Sequence, residues 1–177
     1  MHISFFWYGF IQPWQAPTQA LAFIGLGLLL GQQGKQALRF GIGAFFLSIS
    51  LGLLLTRWVI LAGEWEIPLL AVAGLMGVLL ALRLAVPLCI VTFCAGTLGL
   101  LASAALAPNL MLGSQAFIIK NATFGVIVSA TLTVLLSAAV ASYLRIRWEG
   151  LVLRVLGSWL VASTLMVLAM LLFAHHH

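Results

Sequence analysis

Apolar residues run along this chain in six long stretches, each closed by a short polar or charged break such as Gln32-Gln33-Gly34-Lys35-Gln36. Within each stretch they follow one another without the every-second-residue alternation of a barrel strand, so the pattern predicts helices. The expected spans are residues 18–31, 38–60, 67–82, 86–107, 122–144 and 151–174, with residues 5–11 packed against the first. Arg83 followed by Pro87 predicts a tight turn between the third and fourth. Pro13 and Pro17 each lack an amide hydrogen and disfavour helix at the residue before them, which predicts a loop or re-entrant turn over residues 12–19.

Composition turns helices into membrane helices. The chain is 64% hydrophobic and 6% charged, with a mean hydropathy of +1.22, where a soluble domain carries about 25% charge. That excludes a water-soluble globule, and the apolar content excludes disorder. Since a crossing takes about 20 residues, the length leaves room for about seven at most and none for an extramembrane domain. The expected fold is all-α: a polytopic, compact bundle of about six transmembrane helices with an N-terminal interfacial or re-entrant segment. Residues 1–174 are read as a single transmembrane domain, and His175, His176 and His177 as a purification-tag remnant.

The net charge of +5 is spread singly between apolar runs, so it marks topology rather than a nucleic-acid surface. Lys35, Arg39, Arg83, Arg145, Arg147 and Arg154 fall on one side of the predicted bundle, and Arg57 and Lys120 on the other, with Glu64 and Glu66. The more basic side is cytoplasmic. Both termini are therefore expected outside the cytoplasm, in a bacterial inner membrane or its equivalent. Trp7, Trp14, Trp58, Trp65 and Trp148 stand near span ends, where an indole keeps its ring in lipid and its N–H in water. Met1 to Gln19 has neither a basic start nor a small-residue cleavage site, and does not read as a secretory signal.

Little chemistry is written into the motifs. There is no glycine-rich phosphate loop, CxxC or HExxH, and no nucleophile with a base beside it, so neither an enzyme nor a cofactor is expected. Outside the terminal histidines the imidazole supply is His2 alone, and Asp is absent. Cys89 and Cys94 are five residues apart on one helix and so face different ways, which disfavours both a disulfide and a soft-metal pair. Met76, Met166 and Met170 suit lipid contact or core filling. Small residues at Gly41 and Gly52, and at Gly96, Gly99 and Ser103, suit close helix packing, and Ser129, Thr133 and Ser137 can bond back to their own helix. Glu66, at the start of the third span, either complements a helix N-terminus or acts as a cation or ion-pair residue at the mouth of the bundle, with Arg57 or Lys120 as partner.

The stretch Gly9-Phe10-Ile11-Gln12-Pro13-Trp14-Gln15-Ala16-Pro17-Thr18-Gln19-Ala20-Leu21-Ala22-Phe23 resembles the opening signature of the HupE/UreJ family, membrane accessory proteins of hydrogenase and urease clusters regarded as nickel or cobalt permeases. That signature reads His-Pro, two or three variable positions, then Asp-His before an apolar helix. Pro13 and the run from Ala20 to Phe23 match it; Gln12 and Gln19 stand at the histidine positions and Thr18 at the aspartate. The likeness continues through Glu66 to Ala81-Leu82-Arg83. A second family motif, a His-Gly pair and a further His, is replaced by Ala102-Ser103-Ala104-Ala105-Leu106, and a fifth-span His by the apolar run Ala130 to Leu135. The resemblance implies a permease scaffold whose metal ligands are lost, since amide and hydroxyl oxygens hold nickel or cobalt far more weakly than imidazole or carboxylate. Two expectations follow: a permease for a metal ion or small solute by a modified route, running alone or as a homo-oligomer, or a non-transporting structural or assembly subunit of a larger membrane complex.

Overall fold

The computed structural model describes residues 2–55, 65–82, 86–111, 116–147 and 151–175. These form seven α-helices: α1 (His2–Gln15), α2 (Pro17–Gln33), α3 (Lys35–Leu55), α4 (Glu66–Leu82), α5 (Leu88–Met111), α6 (Ala116–Arg147) and α7 (Leu151–His175). The apolar runs of the sequence all became helix, because in lipid a backbone must satisfy its own hydrogen bonds locally. Four of them are long and apolar enough to cross a membrane, in α3, α5, α6 and α7. Arg57, Trp58, Glu64, Arg83 and Trp148 lie outside the described residues, and with them the expected Arg83 turn.

The predicted loop over residues 12–19 is the main correction. Pro13 sits inside α1, and the chain leaves helical geometry only at Ala16 (φ −101°, ψ 107°), directly before Pro17, the first residue of α2. Pro17 acted as its chemistry demands, holding its predecessor extended and starting the next helix. Pro13 did not, since packing outweighed the helix bond it removes. Gly9 and Gly125 let α1 lie backbone to backbone on α6, where a methyl on Gly125 would come within 2.5 Å of the Phe6 carbonyl.

Glycine contacts give the direction of each helix. Gly27 meets Ser137 and Gly31 meets Ala138 and Ala141, so α2 and α6 run parallel. Gly99 meets Ser48 and Gly52 meets Ser103, so α3 and α5 also run parallel. Gly77 packs on Val161 and Gly157 on Ala81, which makes α4 and α7 antiparallel. Leu30 against Gly41, and the Phe23 and Phe45 rings 5.6 Å apart, set α2 antiparallel to α3. Leu160 touches both Gly25 and Gly77 while Leu28 clusters with Leu80, so α4 runs with α2. Along α1, Phe6 faces Gly125 and Gly9 faces Ala122, so α1 runs against α6 and the chain folds back on itself at Ala16.

An inverted repeat follows from these directions. The unit α2–α3–α4 maps onto α5–α6–α7 with every helix reversed, and the parallel pair α2/α6 maps onto the parallel pair α5/α3. Burial repeats in step. Ala37, Gly41, Phe45, Ile49 and Gly52 of α3 correspond to Val126, Ala130, Val134, Ala138 and Ala141 of α6, and all are buried. Ala73, Gly77 and Leu80 of α4 correspond likewise to Leu153, Gly157 and Leu160 of α7. The core between the units is apolar, built around Phe23, Phe45, Leu26, Leu98 and Val134.

At the end where α2 and α6 finish and α3 and α7 begin lie the exposed Lys35, Arg39, Arg145, Arg147 and Arg154. Arg145 Nη1 donates to the Gln32 carbonyl at 2.8 Å, closing the C-terminus of α2. Gly34, beside it, has φ 106° and ψ −175°, a conformation nearly confined to glycine. Gly34→Ala is expected to cost about 1–3 kcal/mol, read as a lower unfolding temperature in detergent with helix content unchanged below the transition.

Candidate functional site

The three positions singled out in the sequence come to one end of the bundle. Gln12 lies one turn before the fold-back at Ala16 and Thr18 and Gln19 within the first turn after it, with side chains only 5%, 4% and 1% exposed. Gly9 and Gly125 bring α1 down on α6, and the parallel packing of α2 on α6 closes the opposite flank. The first-turn amides of Gln19 and Ala20 both donate to the Ala16 carbonyl, at 3.1 and 3.2 Å, which fixes the start of α2.

The polar atoms at this corner are unpaired. Both ends of the Gln12 amide, Thr18 Oγ1 and Gln19 Oε1 are buried and hydrogen-bond to no protein group. Each such atom costs about 1–3 kcal/mol, and folded proteins leave few of them, so several around one turn is a concentrated expense. Ser129 Oγ, buried on α6, is also unpaired. Its neighbours on the same stripe behave as expected of back-bonding hydroxyls: Thr133 Oγ1 donates to the Ser129 carbonyl at 2.8 Å and Ser137 Oγ to the Thr133 carbonyl at 2.7 Å. Sequence reasoning had grouped Ser129 with those two, and nothing local distinguishes it.

Glu66 occupies the first turn of α4 and is exposed, at the same end of the bundle as Ala16. Arg57 lies outside the described residues, as does the side chain of Lys120, so neither proposed partner of Glu66 is placed. Cys89 and Cys94 are free thiols on α5. Among the described residues no three His, Cys, Asp or Glu side chains come together. Met76 fills the core, while Met166 and Met170 face outward. A cavity of about 210 Å³ between α3, α5 and the start of α4 is lined by Gly52, Leu55, Trp65, Leu100, Leu101, Ser103 and Ala104. Its one hydroxyl, on Ser103, is spent on the Leu100 carbonyl at 2.7 Å, so it offers an apolar surface.

No family model matches the chain, and no curated protein or solved structure is similar to it. The geometry at Ala16 therefore carries the functional reading alone.

Proposed function

We propose that this protein is a permease for a small solute, a HupE/UreJ-like scaffold that has lost its metal ligands. In this reading α2 to α7 make six crossings, the basic end faces the cytoplasm, and both termini lie on the other side. The observation that carries the proposal is the inverted repeat. Two three-helix units of opposite direction around a shared interface is an architecture that recurs in secondary transporters, where rocking of one unit on the other exposes a site to each side in turn. The buried polar corner at Ala16 supplies hydrogen-bonding groups at one entrance. Nickel or cobalt is not the cargo favoured, because amides and hydroxyls are poor replacements for the water shell of such ions.

The dry, aromatic centre around Phe23 and Phe45 favours a second reading, a non-transporting subunit of a larger membrane complex. Reconstitution separates the two. Proteoliposomes of the tag-free protein are expected to accelerate entry of a small neutral solute, followed by light scattering after an osmotic step, and to show no uptake of radiolabelled nickel or cobalt. Liposomes no more permeable than protein-free ones would leave the subunit reading in place, and metal uptake would restore the family's cargo.

A further inference from the structure

We propose that Gln12, Thr18 and Gln19 form a binding site for a small uncharged molecule carrying both hydrogen-bond donors and acceptors, of carboxamide type. The proposal deepens the permease reading by naming its solute class, and it is tested by binding, without transport.

Three observations carry it. The side chains are nine-tenths buried or more, yet four of their polar atoms bond to no protein group. They flank the single extended residue at which the chain reverses, so a ligand there touches the end of α1 and the start of α2 together. The available groups are also mixed in kind. The Gln12 amide offers a donor end and an acceptor end, both unpaired whichever way it is turned, Thr18 offers a hydroxyl that does either, and Gln19 offers an acceptor. A cation would leave the donors idle and an anion the acceptors. Either would also sit without a partner charge, a heavy penalty in a buried site. Among the described residues Glu66 is the one acid, and it is exposed. A carboxamide takes every group: its carbonyl accepts from the Gln12 NH2 and the Thr18 hydroxyl, and its NH2 donates to the glutamine oxygens. Ser129, also unpaired, lies farther in along α6, towards the Phe23 and Phe45 rings.

Acetamide serves as the probe, titrated into the tag-free protein in lipid nanodiscs with saturation-transfer NMR and thermal unfolding as readouts. Saturable binding and a rise in unfolding temperature are expected with acetamide, and none with sodium or nickel chloride at the same ionic strength. Thr18→Val and Gln19→Leu remove the polar atoms at nearly constant shape. Each is expected to weaken acetamide binding at least tenfold while leaving the unfolding temperature of the free protein equal or higher, because an unpaired buried group is lost. A purely structural role would lower it. Absence of saturable binding to folded wild-type protein overturns the proposal, as does binding that both variants retain, or a sodium or nickel response that exceeds that of acetamide. Binding without solute entry into proteoliposomes keeps the site and removes the permease.

Discussion

Replacing Gly27 by leucine is expected to abolish the folded state, and Gly99→Leu to do the same from the other half of the molecule. Gly27 sits against the Ser137 side chain and the Val134 carbonyl, and Gly99 against the Phe45 carbonyl and Ser48, with a methyl there already at 3.0 Å from each of the latter two. Backbone carbonyls cannot swing aside as a side-chain tip can, so three further carbons must push the helices apart. Overpacking usually costs about 1–3 kcal/mol; here it falls on the two parallel pairs, α2/α6 and α3/α5, that join the repeats. In lipid those contacts depend on close fit rather than on hydrophobic exclusion. Equal severity at the two glycines is the particular consequence of the repeat. Gly43→Ala is the control, since a methyl there meets nothing within 4 Å, and alanine in a helix gains about 0.5–1 kcal/mol over glycine. Monodisperse elution and thermal unfolding in detergent read all three. A Gly99→Leu protein as stable as wild type would break the equivalence.

Phe45→Ala is expected to cost about 3–5 kcal/mol, the range for removing a buried aromatic ring. Phe23 and Phe45 are both fully buried, with centroids 5.6 Å apart and planes at 74°, an edge-to-face pair between α2 and α3. Around them stand Leu26, Ile49, Leu98 and Val134, drawn from both repeats and equally inaccessible. The double variant with Phe23→Ala should lose less than the two single losses combined, by about 0.5–1.5 kcal/mol, the worth of such a ring pair beyond its buried area. Under the permease reading the ring pair also closes the centre. A Phe23→Leu protein, which retains most of the apolar volume, should then admit neutral solute faster than wild type in the light-scattering assay. Strict additivity would show that the rings do not interact.

Much of the fold was legible in the residues. Helix positions followed from unbroken apolar runs, and the observed helices reach a few residues beyond several predicted ends, as α6 does at both of its own. The small residues at Gly41, Gly52, Gly99 and Ser103 were read as packing positions and are packing positions. The corner residues were legible in a weaker sense. Gln12, Thr18 and Gln19 stood out through the places they occupy in a resembling motif, while their burial and unpaired atoms carry no sequence signal. Ser129 was placed among back-bonding hydroxyls and differs from Thr133 and Ser137 only through its surroundings.

The sequence by itself determined an all-helical, membrane-compatible chain, because a backbone in lipid has no water to bond and must satisfy itself within each segment. It also determined the break before Pro17, a covalent consequence of the ring on the preceding residue. Which helices touch was decided only by the tertiary structure: α2 lies along α6 and α3 along α5, pairs distant in sequence whose fit depends on surface shape, to which hydropathy is blind. The tertiary structure likewise carried the helix through Pro13, since the close approach of Gly9 and Gly125 outweighs one missing hydrogen bond. That approach folds α1 back onto α6 and encloses three polar side chains that a loop would have left in water.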